Sequence, residues 1–198
     1  MNRATRYTCG MSLSLRPPVL DDAETVAELH VRSWQTGYGD LMPADFLAAQ
    51  NPEYRARQYR DGWENPDYAH VRGLVAERHG QVVGFVRYGP YRTTHEAGWS
   101  AVDPSQGGEV YALYVHPDHW GIGAGGQLLQ AAVAELTAAD QTPVRVWTLS
   151  GNDRTLRFYR RHGFVSDGEV KLISLGQREK IDLPEERMTL AMPEQPLP

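Results

Sequence analysis

Apolar residues alternate at Leu13 and Leu15 and stop at Pro17-Pro18, which predicts a short first strand over residues 13–16. Ala23, Val26, Ala27 and Trp34 then fall at helical spacing, with His30 on the same face. Asp21 or Asp22 is placed to cap that helix, Glu24 lies in its first turn, and Gly37 or Gly39 ends it. Residues 43–65 read as one or two further helices around Pro52. Residues 71–77 and 81–87 are strand-like and flank Arg78-His79-Gly80, a hairpin turn. Residues 89–107 are mostly polar, with glycine and proline near both ends, and read as a long loop. Residues 109–115 (EVYALYV) are β-branched and aromatic and predict a strand. Leu128, Leu129, Ala132, Val133 and Leu136 then share one face of a helix over 127–136. A strand follows over 144–149, then a helix over 152–162 closed by Gly163, then two strands over 164–173 and 186–192. The order predicts an α/β fold, with a mixed central sheet of about six to seven strands flanked by helices.

No linker divides this pattern. Residues 1–11 read as a flexible arm, 12–192 as one domain, and the proline-rich 193–198 as a flexible tail. With 198 residues and 41% hydrophobic content, the chain is long enough to bury a core. The net charge of −5 weighs against nucleic acid as a partner. Cys9 is the one cysteine, so no intrachain disulfide and no Cys-rich zinc site is expected, and a reducing cytoplasm fits. No run of eighteen apolar residues occurs, so neither a membrane span nor a membrane partner is expected. Residues 1–11 also lack the apolar stretch of a signal peptide.

Between strand 109–115 and the helix that starts near residue 127 lies HPDHWGIGAGGQLL, with four glycines in six residues. Glycine-rich turns before helices expose N–H groups and the positive dipole end to an anion. Residues 121–126 match G-x-G-x-x-G, which leaves several phosphate sites open. A dinucleotide fold needs its first glycine directly after the strand, whereas five residues intervene between Val115 and Gly121. It also needs an acidic residue for the ribose at the end of the next strand, where Asp153 is a late candidate. No Gly-Lys-Ser/Thr follows, which excludes a P-loop, and the further motifs of a protein kinase are missing.

The run Val115-His116-Pro117 to Trp120-Gly121-Ile122-Gly123-Ala124-Gly125 resembles the acetyl-coenzyme A motif of the GNAT acetyltransferases. Trp120 stands where that family carries Gln or Arg, a departure that matters little if the site works through backbone N–H groups. Residues 152–164 (NDRTLRFYRRHGF) resemble the second element of the family, Asn…Phe-Tyr…Gly-Phe. The resemblance covers about residues 12–192 and is weakest between 40 and 105. It implies an enzyme that moves an acetyl group from acetyl-CoA to a primary amine by direct attack, acting as a monomer or homodimer. The acceptor is a small molecule or a peptide amine, and no metal is involved. A non-catalytic acyl-CoA-binding module of the same fold is the alternative.

On this resemblance Trp120, Gly121, Ile122, Gly123, Ala124, Gly125 and Gly126 cradle the pyrophosphate. Leu113, Tyr114 and Val115 run along the pantetheine arm, with the Leu113 N–H as oxyanion donor. Asn152 binds the same arm or caps its helix. Tyr159 is the candidate acid for the leaving thiolate, or else a core aromatic beside Phe158. Glu109 is the candidate base through a water, or else a solvated strand-end carboxylate. Trp34 and Tyr38 either line the acceptor site or pack in the core. Arg157 reads as an exposed helix arginine, and His116 and His119 as loop histidines beside the turn.

Overall fold

A computed structural model describes residues 13–93, 101–176 and 180–190. Among the described residues the architecture is mixed α/β: a seven-stranded sheet with flanking helices. The described residues up to Gly89, together with Val110–Glu135, form one compact unit. Those of Pro90–Glu109 and from Leu136 onward form a second.

In the first unit, β1 (Leu13–Arg16), β2 (Arg72–Arg78) and β3 (Gln81–Arg92) pair antiparallel in that order, with β4 (Val102–Val115) next to β3. His79 and Gly80 turn between β2 and β3, both at positive φ, as a two-residue hairpin with its primed turn requires. Helices α1 (Ala23–Gly37), α2 (Ala44–Ala48) and α3 (Pro52–Glu64) lie between β1 and β2 in the chain. Asn51 caps α3, its side chain accepting from the Tyr54 N–H, with Pro52 at the first helical position. The apolar stripe of α1 forms the core with α3 and the sheet: Ala23, Val26, Ala27 and Leu29 are buried with Ala56, Tyr59, Val75 and Phe85. Asp22 precedes α1 but makes no cap. Its carboxylate accepts from the Val19 N–H and from both terminal nitrogens of Arg16, at 2.6 and 2.8 Å. An ion pair has taken the lone pairs that a cap would use.

In the second unit β5 (Val144–Leu149), β7 (Ile181–Leu190) and β6 (Phe164–Leu175) are adjacent in that order and antiparallel. Helix α5 (Asp153–Arg161) joins β5 to β6. Helix α4 (Ala124–Ala138) follows β4 and belongs to the first unit as far as Glu135; of its predicted face it buries Leu128, Leu129, Ala132 and Leu136 and half-buries Val133.

Residues 89–107 are not one long loop. β3 runs on to Arg92 and β4 starts at Val102. Glycines misled the pattern there: an added Cβ would lie 2.3 Å from the Pro143 carbonyl at Gly107 and 2.8 Å from Leu136 at Gly108. Both are strand residues: close packing keeps Gly108 bare, and close packing together with a left-handed backbone at φ +103° keeps Gly107 bare. β7 likewise begins at Ile181, five residues ahead of the expected 186, with Pro184 inside it. The predicted arm at 1–11 and tail at 193–198 lie outside the described residues.

Candidate functional site

The first unit carries the glycine turn. β4 ends at Val115, and a single 3-10 turn over Pro117–His119 follows. Gly121 and Gly123 both adopt left-handed backbone, with φ of +85° and +87°. Nothing lies within 4 Å of an added Cβ at either position. They are glycines because of the conformation they hold, and the space in front of them is open. The first helical bond of α4 runs from the Gln127 N–H to the Gly123 carbonyl at 3.1 Å. The N–H groups of Ala124, Gly125 and Gly126 therefore precede the helical ladder at the positive end of a 15-residue helix. Ile122, Gly125 and Gly126 are half-buried beside them.

Trp120 folds back on the strand. Its indole N–H donates to the Val115 carbonyl at 2.8 Å, and the Ser33 hydroxyl donates to the same oxygen at 3.0 Å. Both lone pairs of that carbonyl are used, so any ligand pairing at Val115 falls to its N–H. Leu113 and Tyr114 are half-buried on the same strand. The Tyr114 ring stacks on His30 at 4.3 Å between centroids. His30 Nδ1 lies 2.7 Å from the Tyr59 hydroxyl. Burial, reinforced by Arg55 and Arg87, holds the imidazole well below its usual range, so it is neutral at pH 7. Trp34 is buried edge-on to His30, with the Arg55 guanidinium 5.1 Å from its ring centroid, and Tyr38 is half-buried at the end of α1. For Trp34 this is core packing. His116 and His119 sit with ring centroids 5.9 Å apart, and His116 Nδ1 accepts from the Asp118 N–H. Among the described residues no group of three His, Cys, Asp or Glu could hold a metal ion. Among them, too, no helix is long and apolar enough to cross a membrane.

The second unit carries α5, the buried Glu109 and a group of partly buried charges. Asn152 is the N-cap of α5, its side chain accepting from the Thr155 N–H at 3.1 Å, and it is buried. Tyr159 is buried, its ring edge-on to Phe158 at 5.2 Å and to Phe164 at 5.5 Å. The ring is thus part of the core, whatever its hydroxyl does. Arg157 is exposed and 4.0 Å from Asp153, one helical turn away.

Glu109 is not a solvated strand-end carboxylate. Its exposure is 0% and it stands inside the longer β4. One oxygen accepts from Arg92 Nε at 3.0 Å and from Arg92 Nη2, and the other accepts from the Arg92 backbone N–H at 3.1 Å. A charge so deeply buried survives only because it is paired this fully. Lys171 on β6 and Glu185 on β7 stand opposite each other in register and pair at 3.3 Å. The Lys171 ammonium lies 4.0 Å over the Trp147 ring. Sequence reasoning missed Arg92, Lys171 and Glu185. Each stands alone in an ordinary strand pattern, and it is the cross-strand register that sets Lys171 opposite Glu185.

A model of the acetyltransferase (GNAT) family matches residues 24–164. The chain belongs to that family. The matched GNAT span runs from the first turn of α1 to the first residue of β6, and so includes the glycine turn and α5. The N-acetyltransferase YuaI of Bacillus subtilis (strain 168), itself uncharacterized, is 27% identical over 76% of this chain and 79% of its own length. Among solved structures, the paia N-acetyltransferase from Thermoplasma acidophilum, in complex with coenzyme A, superposes with a TM-score of 0.67. It shares 17% identity over 89% of this GNAT chain and 98% of its own. The yncA protein of Salmonella typhimurium, solved with its cofactor acetyl-CoA, gives a TM-score of 0.62 at 19% identity, over 94% and 98% of the two chains.

Proposed function

We propose that this GNAT protein transfers the acetyl group of acetyl-CoA to a primary amine by direct attack of the amine on the thioester. The observation that carries the reading is the turn into α4. Two left-handed glycines leave open space before the unladdered N–H groups of residues 124–126. The pyrophosphate accepts from these N–H groups and from the backbone of residues 121–123. The Trp120 N–H donates to the Pro117 carbonyl at 3.1 Å and its indole N–H to the Val115 carbonyl, so Trp120 shapes the turn and the donors to the coenzyme are assigned from Gly121 onward. The pantetheine arm follows Leu113, Tyr114 and Val115, with the Leu113 N–H as donor to the developing oxyanion. Asn152 serves the arm while capping α5.

Three charges have to be handled. The incoming ammonium loses a proton to a carboxylate of the second unit, where Glu109 and the partly exposed Glu185 stand. The carbonyl oxygen is stabilised by strand N–H groups. The thiolate leaves with a proton from the Tyr159 hydroxyl. A core-packed ring suits this last role, since it fixes where the hydroxyl points.

Calorimetric titration with acetyl-CoA and with NAD tests the ligand. Acetyl-CoA is expected to bind at micromolar or tighter concentrations and NAD to show no heat. The five residues between Val115 and Gly121 separate the first glycine from its strand, unlike the dinucleotide arrangement. Binding of NAD without acetyl-CoA would overturn the reading.

A further inference from the structure

Resting on the acetyl-transfer reading, we propose that Glu185 is the group that takes the proton of the acceptor ammonium, and that Lys171 is the positioning residue that holds it. Glu109 is the wrong member of the set for that task. Its two oxygens accept three bonds from Arg92 and none of its surface is exposed. A base needs a lone pair and a path to the proton, and Glu109 at 0% exposure has no path. Glu185 has both. Among the described residues its carboxylate is held by one ion pair, to Lys171, and both side chains keep 16% exposure.

The setting matches the work. Burial raises the Glu185 carboxyl above the usual carboxylate range, against the pull of Lys171 and Arg92. A raised carboxylate is a stronger proton acceptor. Burial lowers the Lys171 ammonium to about 8, against the opposing effect of Glu185. The charges that act on the pair are Arg92 from β3 and Glu109 from β4. Trp147 of β5 lies under the ammonium, and the Arg187 guanidinium of β7 is 5.6 Å from the ring centroid of the same indole. Asp167 of β6 neutralises Arg187 at 2.7 Å. Glu109 and Arg92 thus fix the field, and Glu185 is the carboxylate free to exchange a proton.

The step balances. An N–H bond of the ammonium breaks and its proton passes to a Glu185 oxygen, which later releases it to solvent. The freed lone pair forms the C–N bond at the thioester carbonyl, and the C–S bond breaks. Tyr159 protonates the thiolate and is restored by the second proton that leaves the acylated nitrogen.

Lys171 must be protonated to hold Glu185 ionised, so turnover is expected to rise with pH as Glu185 ionises and to fall near pH 8 as Lys171 loses its proton. The test is the pH profile of kcat for the wild type, Glu185→Gln, Lys171→Arg and Lys171→Met, with competitive amine labelling of Lys171 read by peptide mass. Lys171 and Lys180 are the two lysines of the chain, so Lys180 is the internal reference. Glu185→Gln is expected to lower kcat at pH 7 by about 10²-fold or more, with KM for acetyl-CoA changed by less than about twofold. Its deficit should shrink as the amine deprotonates unaided. Lys171→Arg should keep turnover at pH 7 and abolish the alkaline fall, because arginine stays charged. Lys171→Met should lower turnover at pH 7 to the level that the wild type reaches once Lys171 has lost its proton, with no alkaline fall of its own. In the wild type, Lys171 should label with a midpoint near the alkaline fall. Wild-type turnover in Glu185→Gln, or an alkaline fall that persists in Lys171→Arg, would overturn the assignment. If no amine supports thiol release by the wild type, the acetyl-transfer reading itself fails and the assignment falls with it, even where Lys171 labels as expected.

Discussion

Tyr159→Phe is expected to lower turnover by about 10²- to 10⁴-fold while leaving acetyl-CoA affinity within about threefold of wild type. The substitution removes one hydroxyl and keeps a ring that packs edge-on against Phe158 and Phe164. The core therefore stays filled, and the fold should survive. A thiolate that leaves without a proton donor has to await water, which a buried position excludes. The defect should accordingly ease for thioesters whose thiols are more acidic. Single-turnover kinetics with a coenzyme A ester and with an ester of a more acidic thiol separate the outcomes. A Tyr159→Phe enzyme that turns over like the wild type would leave Tyr159 a core aromatic and nothing more.

Gly123→Val is expected to weaken acetyl-CoA binding by about tenfold or more, equivalent to about 1.4 kcal/mol. No atom obstructs the new side chain inside the protein. The damage comes through the backbone. A β-branched residue at φ +87° is strained by about 1–3 kcal/mol, and the first turn of α4 re-aims its N–H groups to relieve it. Gly125 separates that effect from obstruction of the ligand. It lies within α4 and is not among the residues with positive φ, so Gly125→Val puts bulk before the phosphate with little turn strain. It should bind poorly while unfolding at nearly the wild-type temperature. Trp120→Gln keeps its backbone N–H and a side-chain donor for the Val115 carbonyl, and should bind almost normally. Calorimetry and thermal unfolding on the three variants check this. Normal coenzyme affinity in both valine variants would mean that the glycines serve the turn alone.

Much of this could be read from the chain because it is local. The α4 face, the strand at 144–149 and the Asn152 cap depend on neighbours a few residues away, and the pattern shows them. The glycine turn was legible because glycine at Gly121 and Gly123 reports a backbone conformation directly. The burial of Glu109 was not legible. A glutamate at the apparent start of an apolar run looks like a strand end, and only Arg92, seventeen residues earlier, makes a buried charge tolerable. The two glycines just before Glu109 hid the strand that carries it, since a residue kept bare by close packing looks like a turn residue. The Lys171–Glu185 pair was hidden for a different reason. It is a product of the β6–β7 register, and register is set by the whole sheet rather than by either strand.

Tyr159, Glu185 and the α4 turn all serve one claim, that an acetyl group leaves coenzyme A for an amine. The most direct measurement is release of free thiol from acetyl-CoA in the presence of a panel of primary amines: amino acids, polyamines, aminoglycosides and peptides with free N-termini. Product masses are read alongside. At least one amine should gain one acetyl group for each thiol released, and the Tyr159→Phe variant should release thiol at no more than about a hundredth of the wild-type rate. Tight binding of acetyl-CoA with no thiol released by any amine would contradict the account and leave the protein a coenzyme-binding module.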